Sequence, residues 1–157
     1  MLERLSIATL WLFIISSGIV AGGSVVERVV IMPLWASSPP ESVRAWSLGV
    51  IQRPFFEVAT PIYSLLALGA LVLSFALPPP ARPWVRTAGA LGILLGILTI
   101  AFFVPLLQKT QATGGAGLPS EEIARLTRQF VNWSWLRSGL LFAGWLTAMR
   151  GLTLASR

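Results

Sequence analysis

Glutamate and arginine carry most of the chemistry open to this chain. Its 157 residues include six acidic groups, all of them glutamates, and neither His nor Cys. Two glutamates sit at the edges of apolar stretches: Glu27, just before Arg28, and Glu57. Gln108 and Lys109 close a third such stretch, and Arg137 opens a fourth. A carboxylate can take a proton from an acidic carbon or hydroxyl, and a guanidinium can stabilise the oxyanion that forms. Glu57 or Glu27 is the candidate base, and Arg137 the candidate stabiliser. Glu57, Thr60, Pro61 and Ser64 recur at i, i+3, i+4 and i+7, one stripe of a helix. Thr60, Ser64, the single tyrosine Tyr63, Gln108, Ser134 and the deep Trp145 are candidate ligand-binding residues.

Such a site needs elements to hold it. Three apolar stretches, Leu5 to Val26, Val58 to Leu77 and Thr87 to Leu107, each match the roughly 20 residues an α-helix needs to cross a bilayer. Backbone facing lipid must satisfy its own hydrogen bonds, so these are helices. The fourth stretch is shorter. Only 12 residues separate Arg137 from Arg150, about 18 Å of helix. One arginine must therefore lie within the membrane profile. Arg150 is close enough to the C-terminus to snorkel outward. Arg137 follows Phe130, Val131, Trp133 and Trp135, which read as the interfacial end of the same helix. The expectation is an inward Arg137 paired with Glu57 or Glu27, with Gln108 or a backbone carbonyl as second contact.

The fold class expected is an all-α membrane protein: one domain over residues 1–157, a four-transmembrane-helix bundle. Ser38-Pro39-Pro40-Glu41 predicts a short amphipathic helix after the first span, reaching to about Val50. Pro61 predicts a kink in the second span. Pro78-Pro79-Pro80 makes a stiff turn before the third. Ser120-Glu121-Glu122 predicts a helical extension that leads into the fourth. Gly92 and Gly96 form a close-packing pair. Trp11, Trp35, Trp46, Trp84, Trp133 and Trp135 read as interfacial anchors. No internal repeat stands out.

Composition bounds the function classes. The chain is 55% hydrophobic and 11% charged, so its partner is the lipid bilayer. The net charge of +6 is scattered over segment ends with no basic cluster, which argues against nucleic acid. Without His, Cys or Asp, no metal or haem held by its own side chains is expected, and no cofactor is called for. The short Pro-rich turn concentrates positive charge on the side of the termini. A bacterial inner membrane with cytoplasmic termini is the expected setting.

The segments Arg28-Val29-Val30-Ile31-Met32-Pro33-Leu34, Arg53-Pro54-Phe55-Phe56, Phe103-Val104-Pro105 and Trp135-Leu136-Arg137 close or open the apolar stretches. In these the chain resembles the anthrone-oxygenase-like family of small four-span membrane proteins. The resemblance implies a four-helix membrane bundle with an amphipathic segment after the first span. For some members it implies cofactor-free oxidation of anthrones. Ser134 departs from the family pattern, where a more polar Asn or His is usual three residues before the arginine.

Three functions remain open from the sequence. One is a pocket for a lipophilic, aromatic small molecule, with cofactor-independent oxygenation as its enzymatic form. The second is a non-catalytic subunit of a larger membrane complex or homo-oligomer. The third, transport, is disfavoured because the charges gather at one end and not at the midplane.

Overall fold

A computed structural model describes residues 1–46, 53–111 and 117–156. Every regular element among them is helical. Helix α1 spans Leu2–Val26 and passes through a π-helical turn, Glu27–Ile31, into α2, Met32–Ala36. After α3, Glu41–Trp46, comes α4, Arg53–Leu73, ending in a 3₁₀ turn at Ser74–Ala76. Helix α5, Arg82–Leu98, likewise passes through a π turn, Thr99–Phe103, into α6, Val104–Gln111. Helix α7 runs unbroken from Ser120 to Ala155.

Three helices are long and apolar enough to cross a membrane: Leu2–Ala36, Pro54–Ala76 and Arg82–Thr110. Helix α7 does not meet that measure. Its 36 residues extend roughly 54 Å, but Arg125, Arg128, Arg137 and Arg150 punctuate them. The predicted extension and the fourth apolar stretch are thus one continuous helix.

The four long helices close into a ring in which α1 packs on α4, α4 on α5, α5 on α7 and α7 on α1. Neighbours run antiparallel. Ser6 near the start of α1 donates to the Leu73 carbonyl at the end of α4 (2.9 Å), and Gly151 near the end of α7 lies against Val85 near the start of α5. Small residues allow the close approach. A Cβ on Gly89 would stand 2.9 Å from the Ala67 carbonyl oxygen, and one on Gly92 would stand 2.6 Å from the Ala67 Cβ. The outer faces are apolar: Leu12, Leu65, Ile97 and Ile100 are all more than half exposed. That is the reverse of a water-soluble surface and is consistent with a membrane protein.

Both π turns have one cause. Each ends two residues before a proline, Pro33 or Pro105. Proline has no N–H to offer the carbonyl four residues back, and its ring crowds that carbonyl. The helix widens instead of breaking. Met32 N–H reaches the Glu27 carbonyl and Val104 N–H reaches the Thr99 carbonyl, each five residues back. The surrounding sequences, Ile31-Met32-Pro33-Leu34 and Phe103-Val104-Pro105-Leu106, share one register. The structure therefore shows a local repeat that the sequence did not make evident. Pro61 has no comparable effect, since α4 stays α-helical through it.

At the end away from the termini, α2, α3, α6 and the first half of α7 build a second core around Trp35, Val43, Phe103, Ile123 and Phe130. Trp35 is 0% exposed, so it is a core residue and not an interfacial anchor. Helix α3 is capped differently from expectation. Ser42 Oγ, not Ser38 Oγ, makes the local bonds: it donates to the Trp35 carbonyl (2.8 Å) and accepts from Ser38 N–H (3.2 Å). The predicted continuation of this helix to Val50 falls outside the described residues. At the opposite end the Pro-rich turn is clasped by two arginines. Arg82 Nε donates to the Leu77 carbonyl (2.8 Å) and Arg86 Nε donates to Ser74 Oγ (3.1 Å).

Candidate functional site

The first π turn places Glu27 and Arg28, though consecutive, both against α7. Arg137 Nη2 donates to Glu27 Oε2 at 2.6 Å. The side chains are 12% and 5% exposed, so this is a buried ion pair. Arg28 Nη2 donates to the Val131 carbonyl (3.3 Å), and its guanidinium lies 3.7 Å from the Trp135 ring centre. Just inside, Ser24 and Ser138 share a hydrogen bond of 3.0 Å across the same α1–α7 seam.

The guanidinium of Arg137 also faces two aromatic rings, Phe103 at 5.1 Å and Phe56 at 5.5 Å. Ring faces attract cations and add to its stabilisation in a poorly hydrated place. Beyond it lies a narrow cleft. Helix α1 contributes Val20 and Ser24, α4 Phe56, Thr60 and Tyr63, α5 Leu95 and Gly96, and the second π turn Thr99; Arg137 and Leu141 complete it from α7. Its volume is about 20 Å³, room for one water-sized group. Phe56, Thr60, Thr99 and Arg137 are its partly exposed members.

The candidates chosen from sequence divide into two groups. Arg137, Thr60 and Tyr63 line the cleft, and Glu27 anchors it. Ser64 lies against Gly96 at the cleft wall, close enough that a Cβ there would stand 2.7 Å from Ser64 Oγ. The others lie apart from it. Glu57 is exposed on the first turns of α4, and the acid on Arg137 is Glu27. Gln108 is exposed on α6, and aromatic rings stand where it was expected as second contact. Ser134 is buried, with its hydroxyl donated to the Phe130 carbonyl of its own helix (2.7 Å). Trp145 packs on Gly18 of α1, away from the cleft.

Phe56 and Phe103 were missed as site residues. Both stand in the short motifs quoted above, next to Glu57 and inside the second π turn. For Phe56 an aromatic beside Glu57 was the available signal; for Phe103 there was none. Among the described residues no group of three or more His, Cys, Asp or Glu could hold a metal ion.

No protein-family model matches the chain, and neither a curated protein nor a solved structure shows significant similarity to it. The family resemblance therefore rests on the quoted motifs alone.

Proposed function

We propose that this chain is a four-span integral membrane protein whose Arg137 cleft takes the oxygen-bearing end of a lipophilic molecule from the bilayer. One observation carries the reading: a guanidinium fixed by Glu27 at 2.6 Å lines a largely apolar cleft among the four long helices. A cleft with that lining suits a ligand that arrives from lipid. The fourth span is supported by the same pair, since Glu27 offsets the charge that makes α7 too polar on composition alone. Arg82 and Arg86 at the Pro-rich turn support cytoplasmic termini.

Oxygenation of an aromatic substrate, the activity that the anthrone-oxygenase resemblance implies, needs a free base beside the cleft. Glu27 is engaged in holding Arg137, and Glu57 is exposed and not among the lining residues. Binding is therefore placed ahead of catalysis. A second reading, a non-catalytic subunit, is favoured by the small volume of the cleft, about 20 Å³, which a ring system does not enter without widening it.

Two experiments test the proposal. The chain has no native cysteine, so single replacements report topology cleanly. Ser37→Cys and Glu121→Cys should react with a membrane-impermeant thiol reagent from one side, and Pro79→Cys and Ser156→Cys from the other. Labelling of positions 121 and 156 from the same side would eliminate the fourth span. For the cleft, a lipophilic aromatic ketone should bind the protein in neutral nanodiscs saturably, near one per chain, by equilibrium partition. Thr60→Trp, at the mouth, should reduce that binding by tenfold or more. Non-saturable partition, unaffected by Thr60→Trp, would leave the subunit reading in front.

A further inference from the structure

A second groove lies along the α1–α7 seam, at the end that carries the termini. The antiparallel register that sets Ser24 against Ser138 and Gly18 against Trp145 brings the last turn of α7 beside the second turn of α1. There Ile7 and Trp11 of α1 and Leu152, Thr153, Ala155 and Ser156 of α7 line a space of about 220 Å³. That exceeds the ~150 Å³ that admits a benzene ring, so part of a hydrocarbon chain can lie in it. Ala155 is buried there and Ile7 and Leu152 are half-buried, while Trp11 is 52% exposed.

A charge continues this apolar surface. Arg4, Ile7 and Trp11 recur at i, i+3 and i+7, so Arg4 stands on the groove's own stripe of α1, one turn beyond Ile7. It is exposed, and among the described residues it makes no hydrogen bond or ion pair. The described side chains at this end of the bundle include four arginines, Arg4, Arg82, Arg86 and Arg150, against one acid, Glu3. Glu3 is turned about 100° round α1 from Arg4, off the stripe. An apolar trough with a guanidinium beyond its end matches a hydrocarbon tail below an anionic head.

We infer that this groove seats an anionic glycerophospholipid of the adjoining leaflet, with an acyl chain along Ile7, Leu152 and Ala155 and the phosphate on Arg4. The site is separate from the Arg137 cleft and does not rest on that cleft binding anything. Trp11 lies two turns, about 10 Å, further in than Arg4, where an indole meets the base of the headgroup region. A second copy of the chain is the other occupant such a face admits. A twofold pairing, however, would bring the same guanidinium to both sides of one contact, where the like charges repel.

The test uses the purified chain in a mild uncharged detergent, with dioleoyl phosphatidylglycerol and dioleoyl phosphatidylcholine as probes and native mass spectrometry as the count. One phosphatidylglycerol should be held per chain, at least tenfold more tightly than phosphatidylcholine, which has the same tails but no net charge. Arg4→Gln should bring phosphatidylglycerol down to the level of phosphatidylcholine. Thr153→Trp, at an exposed position whose new indole would fill the groove, should weaken phosphatidylglycerol at least tenfold. Arg150 belongs to the same end but lies over the Trp84 ring of α5, so Arg150→Gln should leave binding within twofold of wild type. Equal retention of the two lipids, or retention unchanged in Arg4→Gln, would overturn the anionic head and with it the inference. Retention unchanged in Thr153→Trp, or a loss in Arg150→Gln as large as in Arg4→Gln, would place the lipid elsewhere on the basic end and overturn the groove. A dimer that Thr153→Trp dissociates would give the face to a second copy and overturn the lipid.

Discussion

Glu27→Gln should destabilise the protein by about 3–5 kcal/mol, the usual cost of leaving one partner of a buried ion pair alone. The two side chains are 5% and 12% exposed and 2.6 Å apart, so water cannot take over from the lost carboxylate. Glutamine keeps the shape and one acceptor oxygen, but it leaves both Arg137 and Arg28 without a counter-charge. Arg137→Met leaves the opposite orphan, a buried carboxylate, and should also destabilise the protein. The double replacement should recover much of the loss, since a neutral Gln–Met pair leaves neither charge buried without its partner. Thermal unfolding in detergent, followed by circular dichroism, reads all three. A Glu27→Gln protein within about 1 kcal/mol of wild type would mean that water reaches the pair.

Gly89→Ala should cost about 1–3 kcal/mol, and Gly22→Ala should cost nothing or stabilise slightly. Both glycines lie inside helices, where alanine is the better helix former. The difference lies in what a Cβ meets. At Gly89 it would stand 2.9 Å from the Ala67 carbonyl oxygen and 3.1 Å from the Leu71 amide nitrogen, backbone atoms that move only if α4 and α5 separate. At Gly22 there is nothing within 4 Å. Gly89→Ala should therefore lower the melting temperature while Gly22→Ala does not. Equal melting temperatures for the two variants would show that the helix contact is looser than its geometry.

Much of the helical frame could be read from the chain because lipid imposes a single rule on it. Long uncharged runs must be helices of membrane-crossing length, and the three longest are. Their ends were harder to place. The run ending at Val26 continues as helix to Ala36, and the run ending at Leu107 continues to Gln111. The reason is that charges such as Glu27 and Arg28 look like boundaries when they are in fact buried against another helix. An inward Arg137 was legible from distance alone, since 12 residues to Arg150 cannot span a bilayer. Its choice of Glu27 over Glu57 was not. Glu27 continues the buried stripe of α1 through Val20 and Ser24, whereas Glu57 stands on an exposed face of α4, and hydropathy does not report which face of a helix is covered. Nor does it report the π turns: the prolines behind them were visible, but Pro61 shows that a proline alone does not decide the outcome. Trp35 was misjudged for a related reason. A tryptophan beyond a span resembles an anchor until a second core closes over it.

The two π turns sit at opposite corners of the helix ring, one on α1 and one on α5, with the same spacing to proline. The frame thus offers the same widened turn twice, and the side chains make the two corners unequal. Where one turn begins with Glu27 and Arg28, the other begins with Thr99 and Ile100. Thr99 keeps its hydroxyl bonded to its own helix, and Ile100, at 71% exposure, faces outward. A near-symmetric scaffold has in this way acquired a handedness across its width, charged at one corner and neutral at the other. A guest lying between the corners would have only one favourable heading.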